Sequence, residues 1–232
     1  MPILELVTSS GLGSLLGMRH ALEPDHLAAV STLVTHERSS YKAALLGACW
    51  GLGHTFSLLI VGAALVLLRA EMPPRVADLF EFFVAIMLVG LGVRAMLQAA
   101  RQGNSGPARV HQHGQLTHAH GAAAPHVHIG TWTLARRPLL VGAVHGLAGS
   151  GALTALVLAN LPSTTARLAY MGLFGLGSTA GMAVLSGLLG WPLARAGSNR
   201  GVARAITFAV GVLSTGLGLA WGYPYVGQFF RP

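Results

Sequence analysis

Six long apolar segments alternate with shorter polar connections along this chain. They cover residues 3–35, 41–70, 75–100, 137–161, 165–195 and 202–223. Each segment is long enough to cross the hydrocarbon core of a bilayer, which takes about 20 residues of helix. A hydrophobic content of 53% with only 9% charged residues excludes an ordinary soluble domain. The sequence therefore predicts an all-α polytopic membrane protein with six transmembrane helices.

The distribution of the basic residues, in a chain of formal net charge +8, predicts an orientation in the membrane. The basic residues are scattered among the connections and form no single stripe, so we expect no nucleic-acid partner. Most of them lie near the first, third and fifth connections. Because cytoplasmic connections carry the excess of Lys and Arg, we expect both termini outside, with the protein in a bacterial cytoplasmic (inner) membrane.

Ionisable side chains interrupt the first apolar segment. His20, Glu23, Asp25 and His26 lie within seven residues. Ionisable groups at bilayer depth by default face a cavity or an ion path, and imidazole and carboxylate groups are ligands of divalent transition metals. A straight helix would point His20 and His26 about 120° apart. Pro24 removes an amide donor and clashes with the carbonyl of His20, which predicts a helix break that lets the two histidines converge.

The second apolar segment adds a further imidazole, His54, between small or polar neighbours. The candidate metal ligands are therefore His20, Asp25, His26 and His54. Residues expected to line the path or to support these ligands are Arg19, Glu23, Thr55, His145, Ser150 and Ser178. We expect Arg19 to pair with Asp25 or Glu23. The alternative for each histidine is a hydrogen bond between helices that has no role in metal binding.

The two halves of the chain resemble each other in sequence. Three colinear matches, each 124 to 126 residues apart, join residues 17–22 to 142–147, 50–55 to 174–179, and 90–92 to 216–218. They predict a three-helix unit in residues 1–100 that is repeated in residues 137–232. Because each unit crosses the membrane an odd number of times, the second must be inverted, as in many secondary transporters. The alternative is chance similarity among helices rich in Gly and Leu.

The second unit has lost most of the candidate ligands. Ser150 and Gly151 replace the Asp25–His26 pair, Ser178 replaces His54, and only His145 is retained, opposite His20. The sequence thus predicts an asymmetric site that is built mainly by the first unit.

One long hydrophilic connection, residues 101–136, separates the two units. It contains three His-x-His pairs, which is a metal-binding composition: His111, His113, His118, His120, His126 and His128. On the cytoplasmic side, where the charge distribution places it, this accessory loop could buffer or transfer an ion. The alternative is a disordered linker of low complexity whose histidines have no such role.

The motif His20-x4-Asp25-His26 resembles the signature of the nickel/cobalt transporter (NicO) family, and the Gly-Leu-Gly-His54-Thr55 segment resembles the next helix of that family. Within the family the chain resembles the shorter six-span branch of urease-accessory membrane proteins. It departs from the longer members at residues 145–151, where they carry an Asp/Thr-rich motif. The resemblance implies secondary transport of Ni²⁺ or Co²⁺ as cargo, with no resident cofactor. It also implies the bilayer, the ion and nickel-dependent enzyme maturation proteins as partners.

Two other functions are compatible with a metal site in a membrane protein. An intramembrane metalloenzyme would use the same ligands to activate a metal-bound water. A metal-sensing or assembly protein would bind ions without moving them. The chain has no phosphate-binding Gly-Lys loop, and the inverted repeat favours a secondary transporter that works by alternating access.

Overall fold

A computed structural model describes residues 2–35, 37, 39–102, 110–113, 116–119, 127–129, 132–134, 136–161, 163–196 and 199–230. The described part contains seven helices and four short strands. The helices are α1 Pro2–His20, α2 Pro24–Val34, α3 Ser40–Leu68, α4 Pro74–Gln102, α5 Arg136–Asn160, α6 Thr164–Ala196 and α7 Arg200–Phe230. The strands are β1 Val110–His113, β2 Leu116–Ala119, β3 Val127–Ile129 and β4 Trp132–Leu134.

The predicted break in the first apolar segment is confirmed. Helix α1 ends at His20, and α2 begins at Pro24, after Glu23 in an extended conformation with φ −63° and ψ 147°. Proline suits the first position of a helix because the amide it lacks would have no partner there. One apolar segment therefore becomes two helices, with the ionisable residues at their junction.

Among the described residues, four helices are long and apolar enough to cross a bilayer. They comprise residues Ser40–Leu68, Pro74–Arg101, Thr164–Leu193 and Gly201–Gly227. These four spans indicate a multi-pass membrane protein. Helices α1, α2 and α5, which lie in the first and fourth predicted segments, are not among them, so the arrangement of six spans stays a prediction.

The connection between α4 and α5 contains strands that the sequence analysis did not predict. Strands β1 and β2 pair antiparallel, as do β3 and β4. These segments contain Val, Ile, Thr and Trp, which favour extended backbone. Four of the accessory-loop histidines, His111, His113, His118 and His128, lie in these strands, where only the backbone is described. The other two, His120 and His126, lie outside the described residues.

The helices pack in a reciprocal pattern. Helix α3 packs on α6, and α4 packs on α7, while α1 lies against α6 just as α5 lies against α3. If α1, α3 and α4 are exchanged for α5, α6 and α7, this set of contacts is reproduced. Helix α2 has no counterpart among the described helices in this exchange. It contacts α4 of the first unit and α6 and α7 of the second.

Glycines allow these helices to approach backbone to backbone. A Cβ added at Gly17 in α1 would collide with the backbone of Phe174 in α6. A Cβ added at Gly142 in α5 would collide in the same way with the backbone of Trp50 in α3. Gly17 matches Gly142, and Trp50 matches Phe174, in the internal alignment, so the two contacts are equivalent. Small residues at helix interfaces are typical of membrane proteins because they permit such close packing.

We expect Gly142→Ala to lower the stability of the protein by about 1–3 kcal/mol, the usual effect of overpacking a tight interface. Gly90→Ala is the matched control, because a Cβ at Gly90 meets nothing within 4 Å. It should be neutral or slightly stabilising, by up to about 1 kcal/mol. Thermal unfolding of the two variants in detergent measures the difference, and equal effects would contradict the described α3–α5 contact.

Candidate metal centre

Four histidines from four helices meet around His26. His20 lies at the end of α1, His26 in the first turn of α2, His54 in α3 and His145 in α5. The ring centre of His26 is 4.4 Å from that of His20, 5.4 Å from that of His54 and 4.1 Å from that of His145. The helix break thus brings together the first two histidines, and packing of α3 and α5 adds the others.

The cluster is buried. His26, His54 and His145 are 1%, 0% and 2% exposed, and Asp25 is 7% exposed. Polar groups in such surroundings are costly unless they are hydrogen-bonded or bind an ion. The partners of each nitrogen and oxygen therefore indicate what the cluster can bind.

Asp25 is bonded to two histidines. Its Oδ1 lies 3.1 Å from Nδ1 of His26, and its Oδ2 lies 2.7 Å from Nε2 of His145. Because an ionised carboxylate only accepts hydrogen bonds, both imidazole nitrogens act as donors. In neutral His26 this leaves the lone pair on Nε2.

Glu23 makes an equivalent contact with His20. Its Oε2 lies 3.0 Å from Nδ1 of His20, while its side chain stays half exposed. The expected pairing of Arg19 with Asp25 or Glu23 is wrong: in the part of the chain that the structure describes, both carboxylates are paired with histidines, and Arg19 is exposed. The reason is that the neighbouring imidazoles point toward the carboxylates at the helix break, while Arg19 turns outward.

Several imidazole nitrogens have no hydrogen-bond partner among the described residues. They are Nε2 of His20, Nε2 of His26, both nitrogens of His54 and Nδ1 of His145. Ligand-capable atoms of His20, His26 and His54 all lie within 4.8 Å of one another, as do those of Asp25, His26 and His145. The two sets share His26. Each buried polar atom without a hydrogen-bond partner costs about 1–3 kcal/mol of stability. The first set could hold a metal ion with three free nitrogens.

A partly open cavity adjoins the cluster, with about 300 Å³ of space that is free of protein atoms, open solvent included. The described residues that line it are His20, Glu23, Asp25, His26, Glu81, His145, Ala148, Gly149 and Trp221. The sequence analysis missed Glu81 and Trp221. An ionisable residue within the third apolar segment was the available signal for Glu81. Nothing in the sequence indicates that Trp221 would lie beside Glu81 in this cavity.

Comparison with known families decides the assignment. A model described as NicO, high-affinity nickel-transport protein, matches residues 6–213. The chain belongs to the NicO family. This confirms the resemblance inferred from the histidine motifs.

Relatives in this comparison come from a bacterium and a plant. The urease accessory protein UreH of Bacillus sp. (strain TB-90) is 31% identical over 223 residues, which covers 96% of this chain and 94% of that protein. The chloroplast protein FOR GROWTH AND FERTILITY 2 of Arabidopsis thaliana is 27% identical over 97% of this chain, which spans 58% of the plant protein. FOR GROWTH AND FERTILITY 1 is 29% identical over 79% of this chain and 50% of its own length. No solved structure gives a significant match.

Three other residues of this NicO family member, which the sequence predicts to line the path or to support the ligands, are Thr55, Ser178 and Ser150. Thr55 joins α3 to α6, because its hydroxyl donates to the carbonyl of Gly175 at 2.8 Å and lies 2.9 Å from Oγ1 of Thr179. Ser178 is fully buried. The side chain of Ser150 lies outside the described residues. An aromatic neighbour that the sequence analysis missed is Trp50, whose ring centre is 5.4 Å from that of His26.

We expect His145→Ala to destabilise this NicO protein by about 1–3 kcal/mol, because it leaves one oxygen of Asp25 buried without a donor. In an Asp25→Asn background the same substitution should cost less, because a neutral amide is less costly to leave unpaired than a carboxylate. Thermal unfolding of the four proteins in detergent gives the coupling. Strictly additive effects would contradict the Asp25–His145 contact.

Proposed function

We propose that the chain is a secondary transporter of Ni²⁺, Co²⁺ or both, and that His20, His26 and His54 bind the cargo ion. The observation that carries this proposal is a set of three imidazoles whose ligand-capable atoms lie within 4.8 Å of one another, each ring having at least one nitrogen without a hydrogen-bond partner among the described residues. Such an arrangement is costly in an empty apolar interior and suits an incoming cation. Membership of a nickel-transport family supports the same function.

In this proposal the two carboxylates orient the histidines. Glu23 is bonded to Nδ1 of His20 and Asp25 to Nδ1 of His26, so the Nε2 atoms of both rings are free for the ion. Metal-binding histidines commonly donate their other nitrogen to a carboxylate, which fixes the ring and raises its basicity. The sequence predicts that Asp25 is a ligand itself, and this stays a prediction. Asp25 would become a ligand in the second set, with His26 and His145, after its present hydrogen bonds open.

The choice of ion follows from the ligand atoms. Neutral imidazole suits Ni²⁺, Co²⁺, Cu²⁺ and Zn²⁺, whereas Mg²⁺ and Ca²⁺ prefer oxygen. Three nitrogens therefore discriminate against the abundant hard cations. The family description favours nickel within the first group.

Transport would occur by alternating access between two inverted units, residues 1–100 and 137–232. The reciprocal contacts of α1 with α6 and of α5 with α3 support this repeat. Asp25 belongs to the first unit and His145 to the second, so their hydrogen bond crosses the boundary that rocking would displace. We propose six spans in a bacterial inner membrane with both termini outside, which places residues 101–136 in the cytoplasm.

The accessory loop and partners have a secondary role in this proposal. The His-rich loop would raise the local concentration of cargo ions at the cytoplasmic side. Similarity to a urease accessory protein supports the expectation that nickel-dependent enzyme maturation proteins are partners.

We expect His26→Ala to reduce ⁶³Ni²⁺ uptake into proteoliposomes by about 100-fold or more, because loss of a ligand should exceed the 10- to 100-fold effect of losing an outer partner. Leu22→Ala is the control, because Leu22 lies at the same helix break and is 57% exposed. It should leave uptake near the unsubstituted level.

Flux also separates the competing functions. A metalloenzyme or a sensor would bind the ion without moving it, so Ni²⁺ binding with no flux in the unsubstituted protein would rule out the transporter. Equal flux in the His26→Ala and unsubstituted proteins would rule out this site.

Replacement of residues 105–131 by a Gly/Ser linker should leave the maximal rate within about twofold and raise the Ni²⁺ concentration for half-maximal flux, because only local enrichment is lost. The same proteoliposome assay over a range of Ni²⁺ concentrations measures both values. Loss of all flux from a folded variant would place the loop within the translocation path instead.

A further inference from the structure

We propose that Glu81 is a docking site for the hydrated divalent cation at the mouth of the histidine cavity. This inference rests on the proposed function and adds a residue that the histidine motifs do not contain. Glu81 lies in α4 and lines the same cavity as His26, Asp25 and His145. It therefore adds a carboxylate from the α4–α7 pair to a site that is otherwise built by α1, α2, α3 and α5.

Trp221 fixes this carboxylate without neutralising it. Its indole Nε1 donates to Oε2 of Glu81 at 2.9 Å, and Trp221 also lines the cavity. A carboxylate offers about four lone-pair sites, so one N–H leaves most of its acceptor capacity for other ligands. Because the indole is uncharged, it adds no opposite charge beside the carboxylate of Glu81.

The charge of the cavity contrasts with that of the whole chain. Three of the seven acidic residues, Glu23, Asp25 and Glu81, are among the described residues that line it, and these include no lysine or arginine. The chain as a whole carries a formal charge of +8. A cleft lined by one sign of charge with low-dielectric walls concentrates ions of the opposite sign. The cavity should therefore attract cations despite the basic chain.

Two histidines that line the same cavity carry unpartnered nitrogens, and these indicate where an attracted cation would go. Nε2 of His26 and Nδ1 of His145 are buried without a hydrogen-bond partner among the described residues. Oxygen ligands suit an ion that keeps most of its water, whereas the imidazoles suit a partly dehydrated transition metal. Glu81 would hold the ion before it reaches the imidazoles.

The position of Glu81 along its helix suggests the side of entry. It follows Pro74, the first residue of α4, by seven residues, or about 10 Å of helix. Trp221 precedes Phe230, the last residue of α7, by nine residues, or about 14 Å. Both lie toward the ends that the charge distribution places outside. The docking carboxylate would thus meet ions on the outer side of the cluster.

A purely structural role for Glu81 is the main alternative, because its bond to Trp221 joins α4 to α7. Glu81→Gln separates the two roles, since glutamine can still accept from the indole but carries no charge. We expect the KM for Ni²⁺ in proteoliposomes to rise about five- to tenfold, with kcat nearly unchanged, because only the attraction of the ion is lost. The dependence of uptake on ionic strength should weaken as well.

Asp78→Asn is the matched control. Asp78 lies one turn before Glu81 on α4, it is also acidic, and it is not among the described residues that line the cavity. Its KM should stay within about twofold of the unsubstituted value, because Asp78 does not line the cavity that the ion would enter. Glu81→Asp keeps the charge on a shorter side chain, so its KM should rise less than that of Glu81→Gln.

Each outcome supports or overturns the proposal. A KM that rises more in Glu81→Gln than in either of the other two variants supports it. An unchanged KM in Glu81→Gln, an equal rise in Asp78→Asn, or an equal rise in Glu81→Asp would overturn it. If Glu81→Gln does not fold, Glu81→Ala and Trp221→Phe replace it. Both lose the bond between the two side chains, but only Glu81→Ala loses the charge, so a larger rise in KM in Glu81→Ala than in Trp221→Phe supports the proposal and an equal rise overturns it. In protein whose residues 105–131 are replaced by a Gly/Ser linker, calorimetric Ni²⁺ binding should persist in Glu81→Gln and be lost in His26→Ala. Binding that survives in His26→Ala would contradict the proposed function, whereas the KM values test this inference.

Discussion

The carboxylate of Asp25, held between His26 and His145, is the interaction on which the arrangement of the cluster depends. A carboxylate that is 7% exposed inside a membrane protein needs donors for its oxygens, and the two imidazoles supply them. The bond to His26 fixes one ring, and the bond to His145 ties α2 to α5. Since α2 exists as a separate helix only because the chain breaks at Pro24, the break and this hydrogen-bonded triad are parts of one feature.

Close helix packing is the second requirement. Gly142 and Gly146 in α5 lie against the backbones of Trp50 and His54 in α3, so α5 comes near enough for His145 to enter the cluster. A Cβ on Gly149 would lie 3.7 Å from Nε2 of His20. Larger residues at Gly142 and Gly146 would separate the helices and widen the cluster. Glycines that take no part in the chemistry of the site therefore determine its geometry.

The sequence predicted the parts of the site that depend on local chemistry. The break at Pro24 follows from the missing amide and the clash with the carbonyl of His20, and the involvement of His54 follows from the cost of an imidazole in a bilayer. The sequence did not predict that His145 contacts Asp25 or that Arg19 turns outward. It also did not predict the hydrogen bond between Trp221 and Glu81. Each depends on how helices far apart in sequence rotate against one another, and helices that are apolar on all sides carry little periodicity to indicate this. The sequence analysis missed the strands between α4 and α5. The His-rich composition of this connection indicated an irregular loop, although its short runs of Val, Ile and Thr favour strands.

The central claim is that three imidazoles bind the cargo ion. Nickel K-edge X-ray absorption on detergent-purified protein, with residues 105–131 replaced by a Gly/Ser linker to remove the accessory histidines, tests it most directly. The account predicts multiple-scattering features of three imidazoles around Ni²⁺, reduced to two by His54→Ala. A shell of oxygen atoms alone, or a spectrum that His54→Ala does not change, would contradict it.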